Sequence, residues 1–203
     1  MANPRNQPVQ KPGRVKEQMD SYEPVDRTLH NPFIEGRYEI IEGVRYDLSP
    51  APTVSHQKVI AQLHLAIYAT CHTNGTILFA PLDVYLDKDN SFQPDLVMVL
   101  HEREHIIKPA RIEGAPDLVV EILSPSTSSN DKIRKKRQYE KHKVSEYWIV
   151  DPTHFTVDQF VHQGDKLLLS HSYGVDIGDV LTSERFPCVF VELDKLFATV
   201  RKP

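Results

Sequence analysis

Residues 115–123 read Ala-Pro-Asp-Leu-Val-Val-Glu-Ile-Leu, and this nearly continuous apolar run decides the fold. Such a run is typical of a β-strand that is covered on both faces. Alternation along the strand places Asp117, Val119 and Glu121 on one face. An unpaired carboxylate is costly to bury, so Glu121 needs a partner close by. The stretch therefore predicts a sheet protein with a charged group held in its interior.

The segments on either side of this strand alternate between helical and strand patterns. Apolar residues recur at three- and four-residue spacing over 53–71 and predict a helix, with Thr53 or Ser55 as its cap. A second, basic helix is predicted over 131–143. Further short strands are predicted at 77–79, 82–86, 96–100 and 146–150, with antiparallel hairpins at 38–48 and 155–173. The order predicts an α/β (α+β) fold with a mixed central sheet, flanking helices and added antiparallel hairpins.

The first 36 residues differ in composition and pattern from the rest of the chain. They hold five prolines and no sustained periodicity. This composition predicts an extended or disordered arm over 1–36, followed by one domain over 37–203.

Charge, hydropathy and cysteine usage exclude several classes of protein. No apolar run approaches the roughly 18 residues that cross a bilayer, and no signal sequence opens the chain. Cys71 and Cys188 are far apart and lie in no Cys-x-x-Cys pattern, so neither a disulfide scaffold nor a structural zinc site is expected. These features predict a cytoplasmic protein without a membrane partner. A net charge of −4 requires that any nucleic-acid binding use a local basic patch.

The basic helix predicted over 131–143 provides such a patch. It holds seven Lys and Arg against two Asp and Glu, a local charge of +5. Asp131, Lys135 and Tyr139 recur every four residues and share one face. Tyr139 could position a phosphate, although packing against Trp148 is the simpler expectation. A solvated helix with one internal ion pair is the alternative for the whole segment.

Two carboxylates in strands suggest a metal site. Asp95 opens a predicted strand and Glu121 lies within another, so both could converge on Mg²⁺, which favours oxygen ligands. The alternative is a salt bridge from Glu121 to the basic helix. Asp117 is a rival ligand, with turn chemistry at the strand entry as its simpler role.

The same stretches carry a family resemblance. Gln-Pro-Asp at 93–95 and Pro-Asp-x-x-x-Glu-x-Leu-Ser-Pro-Ser-Thr at 116–127 resemble the Uma-two family of restriction-endonuclease-like proteins. The continuation over 131–152 resembles it too, and the similarity runs from about residue 37 to the end of the chain. It implies the restriction-endonuclease-like core of the PD-(D/E)XK superfamily, with the order helix, three strands, helix, strand.

The resemblance also implies the site. Asp95 matches the motif aspartate and Glu121 the acidic residue of the third strand. The motif's lysine belongs two positions after Glu121, where this chain has Leu123, and Lys135 resembles a relocated lysine. Glu39 and His56 match further positions near the site.

The implied activity is Mg²⁺-dependent hydrolysis of phosphodiester bonds in DNA, with Mn²⁺ as a substitute. Asp95, Glu121 and the backbone carbonyl of Ile122 would hold the ion, and Lys135 would stabilise charge on the phosphoryl group. Glu39 would hold a second metal or a water. His56 would bind phosphate or move a proton.

Two alternatives to an active endonuclease stay open. The displaced lysine and the negative net charge of the chain also fit a catalytically degenerate domain that binds nucleic acid through the basic helix. They fit equally a structural or interaction protein in which the charged cluster is a salt-bridge network. A homodimer is common among proteins of this kind, and the sequence does not decide it.

Overall fold

The computed structural model describes residues 37–48, 52–124 and 129–201. The predicted arm over 1–36 lies outside these residues. Side chains are described throughout these ranges except at 129–132.

Within the described residues, the domain consists of two large sheets, a pair of short strands and three α-helices. The six-stranded sheet has the order β11-β10-β9-β8-β6-β3, the five-stranded sheet the order β2-β1-β5-β4-β7, and β12 and β13 form a separate pair. The strands are β1 Tyr38–Ile41, β2 Val44–Asp47, β3 Gly75–Phe79, β4 Val84–Asp87, β5 Asn90–Phe92, β6 Leu96–Leu100, β7 Ile112–Glu113, β8 Leu118–Ile122, β9 Glu146–Asp151, β10 Thr156–Gln163, β11 Lys166–Gly174, β12 Val180–Thr182 and β13 Phe190–Glu192. The helices are α1 Val54–Cys71, α2 Ser129–Lys141 and α3 Leu193–Phe197.

The strand that carries Glu121 lies inside the six-stranded sheet and is covered on both faces. Leu118, Val120 and Ile122 pack with Trp148 in the core layer that contains α1. Val119 packs in the opposite layer, against residues of α2 and the five-stranded sheet. This two-sided burial explains the apolar run. The predicted fold, a mixed sheet flanked by helices with added antiparallel hairpins, is confirmed.

Both helices that frame the site form as the sequence predicts. Thr53, rather than Ser55, caps α1, and its hydroxyl accepts a hydrogen bond from the backbone N–H of His56 at 3.2 Å. The cap therefore fixes His56 in the first turn of α1. β8 and β9 are parallel, and α2 is the crossover between them. The crossover carries Lys135 back over the sheet.

The first hairpin holds a tight two-residue turn. Glu42 and Gly43 have φ of 54° and 79°. Positive φ at both central positions matches the type I′ turn that suits the twist of two antiparallel strands. The turn sets the register in which Glu39 pairs with Tyr46.

Several short elements have no pattern of their own in the sequence. They are β5, β7, β12, β13 and a 3₁₀ helix at His101–Ile106. β5 consists of Asn90, Ser91 and Phe92, which show no apolar alternation because all three are buried. Pairing with β1 and β4, rather than local preference, makes this segment a strand.

The cysteines differ from expectation. Cys71, at the end of α1, and Cys188 form a disulfide, although their separation in sequence predicted none. Spacing alone does not reveal that the fold brings two distant residues together. The cysteines therefore no longer support the inference of a reducing compartment. In the described ranges, no helix is long and apolar enough to cross a membrane.

Gly75 opens β3 where two backbones approach closely. A Cβ at this position would lie 2.4 Å from the carbonyl oxygen of Val99. Gly75 lacks positive φ and lies within a strand, so it is not a left-handed cap of α1. Its role is to leave room for the pairing of β3 with β6.

We expect Gly75→Ala to lower the free energy of unfolding by about 1–3 kcal/mol, because the added methyl group forces β3 and β6 apart. Urea unfolding measures the change. Gly174→Ala is the matched control, since a Cβ there meets no atom within 4 Å and the residue also lies in a strand. Equal losses in the two variants would contradict this account of Gly75.

Candidate active site

Three carboxylates come together at one end of the six-stranded sheet. The register pairs Leu96 of β6 with Val120 of β8, so Asp95 and Glu121 are neighbours across the two strands. Asp95 Oδ2 accepts a hydrogen bond from the backbone N–H of Ile122 at 2.7 Å. Glu39 reaches the same place from β1 of the other sheet. The structure thus places all three predicted acidic residues in one cluster.

Lys135 lies at the centre of this cluster. Its Nζ is 2.7 Å from Glu39 Oε1 and 3.2 Å from Glu121 Oε1. The Lys135 side chain is 11% exposed, and those of Glu39 and Glu121 are 2% and 14% exposed. A lysine from α2 therefore supplies the positive charge that Leu123, the residue directly after β8, cannot supply.

Tyr139, one turn after Lys135, completes the partners of Glu121. Its hydroxyl donates to Glu121 Oε1 at 2.7 Å. Burial raises the pKa of the Tyr139 hydroxyl well above its usual value, and the charge of Glu121 adds to the shift. The expected packing against Trp148 was wrong, because the Tyr139 ring contacts Phe92 and Tyr147 in the layer on the opposite face of the sheet.

His56 approaches the cluster from α1. Its Nε2 is 3.2 Å from Asp95 Oδ2, while the buried Nδ1 has no hydrogen-bond partner among the described residues. Burial alone would lower the pKa of His56, but the hydrogen bond to Asp95 and the charge of that carboxylate raise it above the usual value. The raised pKa favours the protonated imidazole, whose Nε2 can donate to Asp95.

The carbonyl of Ile122 faces this cluster too. The N–H of Leu123 donates to Val150 of β9 at 2.8 Å. Because the peptide group is planar and trans, the Ile122 carbonyl points the opposite way, toward Asp95. The backbone of Ile122 also interacts with the His56 ring and contributes to its raised pKa.

The carboxyl groups of the cluster outnumber the ammonium group of Lys135. Burial is the main cause that raises the pKa of Glu121 from 4.5 to about 7. The charge of Lys135 lowers this pKa, and repulsion from Asp95 and Glu39 raises it again. Lys135 has a raised pKa because Glu121 and Glu39 overcome the effect of its burial. An additional cation would relieve the repulsion among the carboxylates.

One contact of the cluster was missed in the sequence. The backbone N–H of Gln93 donates to Glu39 Oε1 at 3.0 Å. Gln93 belongs to the Gln-Pro-Asp stretch, which is the sequence feature that points to this part of the site. The contact itself is made by a backbone N–H, so the residue type does not predict it. The segment from Gln93 to Asp95 links β5 of one sheet to β6 of the other.

Asp117, the rival ligand, lies away from the cluster at the other end of β8. Its carboxylate is 2.7 Å from Arg103 and accepts a hydrogen bond from the backbone N–H of Leu100 at 2.9 Å. The strand separates Asp117 from Glu121 by about 13 Å at 3.3 Å per residue. Asp117 serves the strand entry rather than the cluster.

The positive charges of α2 divide among several environments. Lys135 is in the cluster and Lys136 lies over the Phe160 ring at 4.3 Å, whereas Lys143, two residues past the end of α2, pairs with Asp165. Arg134, on the other flank of the helix, lies over the ring of Tyr46 at 5.2 Å. The basic helix is therefore not one uniform charged face.

The donor set fits a hard divalent cation. Asp95, Glu121 and the Ile122 carbonyl offer oxygen ligands, the type that Mg²⁺ prefers, and Mg²⁺ keeps several waters. Within the described ranges, no three side chains of Asp, Glu, His or Cys converge as a metal site. Two carboxylates and one carbonyl match an ion that takes few protein ligands, but not a closed structural site.

Comparison with known proteins places the chain in a family. The model of the Uma2 family, described as "Putative restriction endonuclease", matches residues 30–193. The chain belongs to this family. Among solved structures, the Uma2 chain is similar to a protein from Anabaena variabilis described as "a putative nuclease belonging to DUF820". The TM-score is 0.68 at 21% identity over 82% of this chain and 93% of the other, which supports a shared fold. A comparison with curated proteins found no match.

We expect the Glu121→Gln variant to gain stability relative to the wild type as pH rises from 5 to 8. The folded state holds the Glu121 proton up to about pH 7, whereas the unfolded chain releases it near 4.5. Wild-type stability therefore falls across this window by up to about 3 kcal/mol, at 1.36 kcal/mol per pKa unit. Glutamine does not titrate and lacks this loss.

Urea unfolding of both proteins at several pH values measures the difference, since groups remote from Glu121 contribute equally to the two curves. Glu102→Gln is the control, because Glu102 is exposed. Parallel curves for wild type and Glu121→Gln would show that Glu121 has no raised pKa.

Proposed function

We propose that this Uma2 protein is a metal-dependent endonuclease that hydrolyses phosphodiester bonds in DNA, with Mg²⁺ as its ion and Mn²⁺ as a substitute. The position of Lys135 carries the proposal. Its ammonium group lies beside Glu121, one strand from Asp95, so the cluster joins two carboxylates and a lysine. This combination suits phosphoryl transfer, where negative charge must be both bound and stabilised.

Asp95, Glu121 and the Ile122 carbonyl are the proposed ligands of the ion. A bound Mg²⁺ would polarise the phosphoryl group and lower the pKa of a coordinated water. The backbone N–H of Ile122 and the ring of His56 both hold Asp95 Oδ2. These contacts orient Asp95 and leave its Oδ1 free of hydrogen bonds from the described residues.

The remaining residues act on charge and protons. Lys135 stabilises negative charge that develops on the phosphoryl oxygens, and its ion pairs with Glu39 and Glu121 hold the ammonium in place. The Tyr139 hydroxyl donates a hydrogen bond to Glu121 and keeps that carboxylate oriented. His56 holds a proton at Nε2, which it can transfer or present to a phosphate oxygen.

DNA is the proposed partner because α2 exposes positive charge beside the cluster. Arg134, Arg137 and Lys141 are exposed on this helix. A polyanion gains most of its non-specific affinity from such groups. Lys136 and Lys143 lie against Phe160 and Asp165 and are not part of this surface. A cytoplasmic location and a homodimer stay predictions.

The second candidate is a nuclease-like domain that binds nucleic acid without cleaving it. The two ion pairs of Lys135 favour a structural role of the cluster over cleavage, because they also describe a stable internal salt-bridge network. Leu123 in the usual place of the lysine favours it as well. Cleavage separates the two candidates.

We expect the wild type to cleave plasmid and single-stranded DNA with Mg²⁺ or Mn²⁺, and Glu121→Ala and Lys135→Ala to lose at least about 100-fold in rate, as typical for an electrostatic group at a reacting centre. Gel assays with each metal and with EDTA measure the rates. Lys136→Ala is the matched control, since it removes the next lysine of α2 outside the cluster.

Wild-type inactivity with both metals would favour the binding role. Equal cleavage by all variants would indicate a contaminating nuclease. Circular dichroism establishes that each variant is folded before its rate is interpreted.

Metal binding tests the ligand assignment independently of cleavage. We expect Mg²⁺ or Mn²⁺ to bind the wild type in calorimetry and to raise its Tm, because an ion that binds only the folded state stabilises it. Glu121→Ala removes a ligand and should abolish both effects, whereas Glu102→Ala should keep them. Unchanged binding by Glu121→Ala would exclude Glu121 as a ligand.

A further inference from the structure

Arg134 presents an exposed guanidinium group beside an aromatic ring. The group lies 5.2 Å from the centre of the Tyr46 ring, within the range of a cation–π contact. The residue is exposed, and it forms no ion pair with any other residue of the described ranges. Its donors are therefore available to a ligand, while the ring limits where the group can lie.

This guanidinium borders the charged cluster. Tyr46 pairs with Glu39 across the first hairpin, so their side chains lie on the same face. Glu39 in turn contacts Lys135, the residue that follows Arg134 on α2. Because β2 is the outer strand of its sheet, Arg134 and Tyr46 form the rim of the site on that side.

We propose that Arg134, oriented by Tyr46, binds a phosphate that flanks the scissile phosphodiester of a nucleic-acid strand. A guanidinium matches the geometry of phosphate oxygens and binds them through two parallel hydrogen bonds. A strand whose scissile phosphate lies at Lys135 carries further phosphates on both sides. The inference rests on the proposed function and adds to it a contact that orients the strand.

Lys136 offers a comparison within the same helix. It too lies over an aromatic ring, that of Phe160, at 4.3 Å. Phe160 belongs to β10, on the other flank of α2 from the first hairpin. Removing Lys136 deletes one positive charge and one cation–π contact without changing the rim of the site.

Binding of a fluorescent DNA duplex, measured by anisotropy with Ca²⁺ in place of Mg²⁺, tests the contact. We expect Arg134→Ala to raise Kd about tenfold, as for a lost hydrogen bond to a charged group. The slope of log K against log salt should fall by about 0.9 for one lost phosphate contact. Alanine favours helix, so α2 should persist in this variant.

Two further variants define the chemistry. Arg134→Lys keeps the charge but not the paired donors, and we expect it to recover only part of the affinity. Tyr46→Leu keeps Arg134 but removes the ring, and should raise Kd by about threefold. Lys136→Ala should change Kd by about twofold or less. Equal losses in Arg134→Ala and Lys136→Ala would overturn the proposal in favour of a diffuse basic surface.

Kinetics separate this proposal from the proposed function. Bis(p-nitrophenyl) phosphate has one phosphodiester and no flanking phosphate. For Arg134→Ala we expect kcat/KM to fall further on an oligonucleotide than on this small diester, mainly through KM. An equal fall on both substrates would overturn the role of Arg134, although wild-type cleavage would uphold the nuclease.

The converse result is also informative. In one outcome the wild type cleaves neither substrate, while Arg134→Ala loses DNA affinity and Lys136→Ala keeps it. This result would overturn the nuclease proposal and uphold the phosphate contact. The absence of any DNA binding by the wild type would overturn the proposal for Arg134.

Discussion

The buried ammonium group of Lys135 is the interaction on which the rest of the site depends. It lies between Glu39 and Glu121, and each of the three groups comes from a different element. Burial of an ionised group is costly unless its partners are fixed close by, and removing one partner leaves the others uncompensated. The first hairpin, β8 and α2 must therefore take their positions together. The fold and the cluster share the same constraint.

The sequence predicts this fold well where physical patterns are strong. The apolar run around Glu121 reflects a strand buried on both faces, and the capped periodicity of α1 reflects an amphipathic helix. The cluster is also visible in part, because Glu121 in such a run demands a partner and Lys135 shares a helical face with Tyr139. These inferences need only local spacing.

What the sequence does not show depends on contacts between distant segments. Nothing in Asn90–Phe92 marks it as a strand, since its pairing with β1 decides its conformation. The sequence likewise does not predict the backbone hydrogen bond of Gln93 or the disulfide between Cys71 and Cys188. Asp117 shares a face with Glu121, yet it pairs with Arg103, because period-two alternation gives the face but not the distance along the strand.

The link between the two large sheets has a consequence for how the protein is made. Glu39 is near the start of the domain, and Lys135 follows almost a hundred residues later. Domains generally fold as units while synthesis proceeds. A growing chain thus carries isolated acidic residues, but no complete constellation, until α2 has been made and has packed across β8. A partly made or partly folded copy therefore lacks the Lys135 ammonium group, and with it the charge balance of the complete cluster.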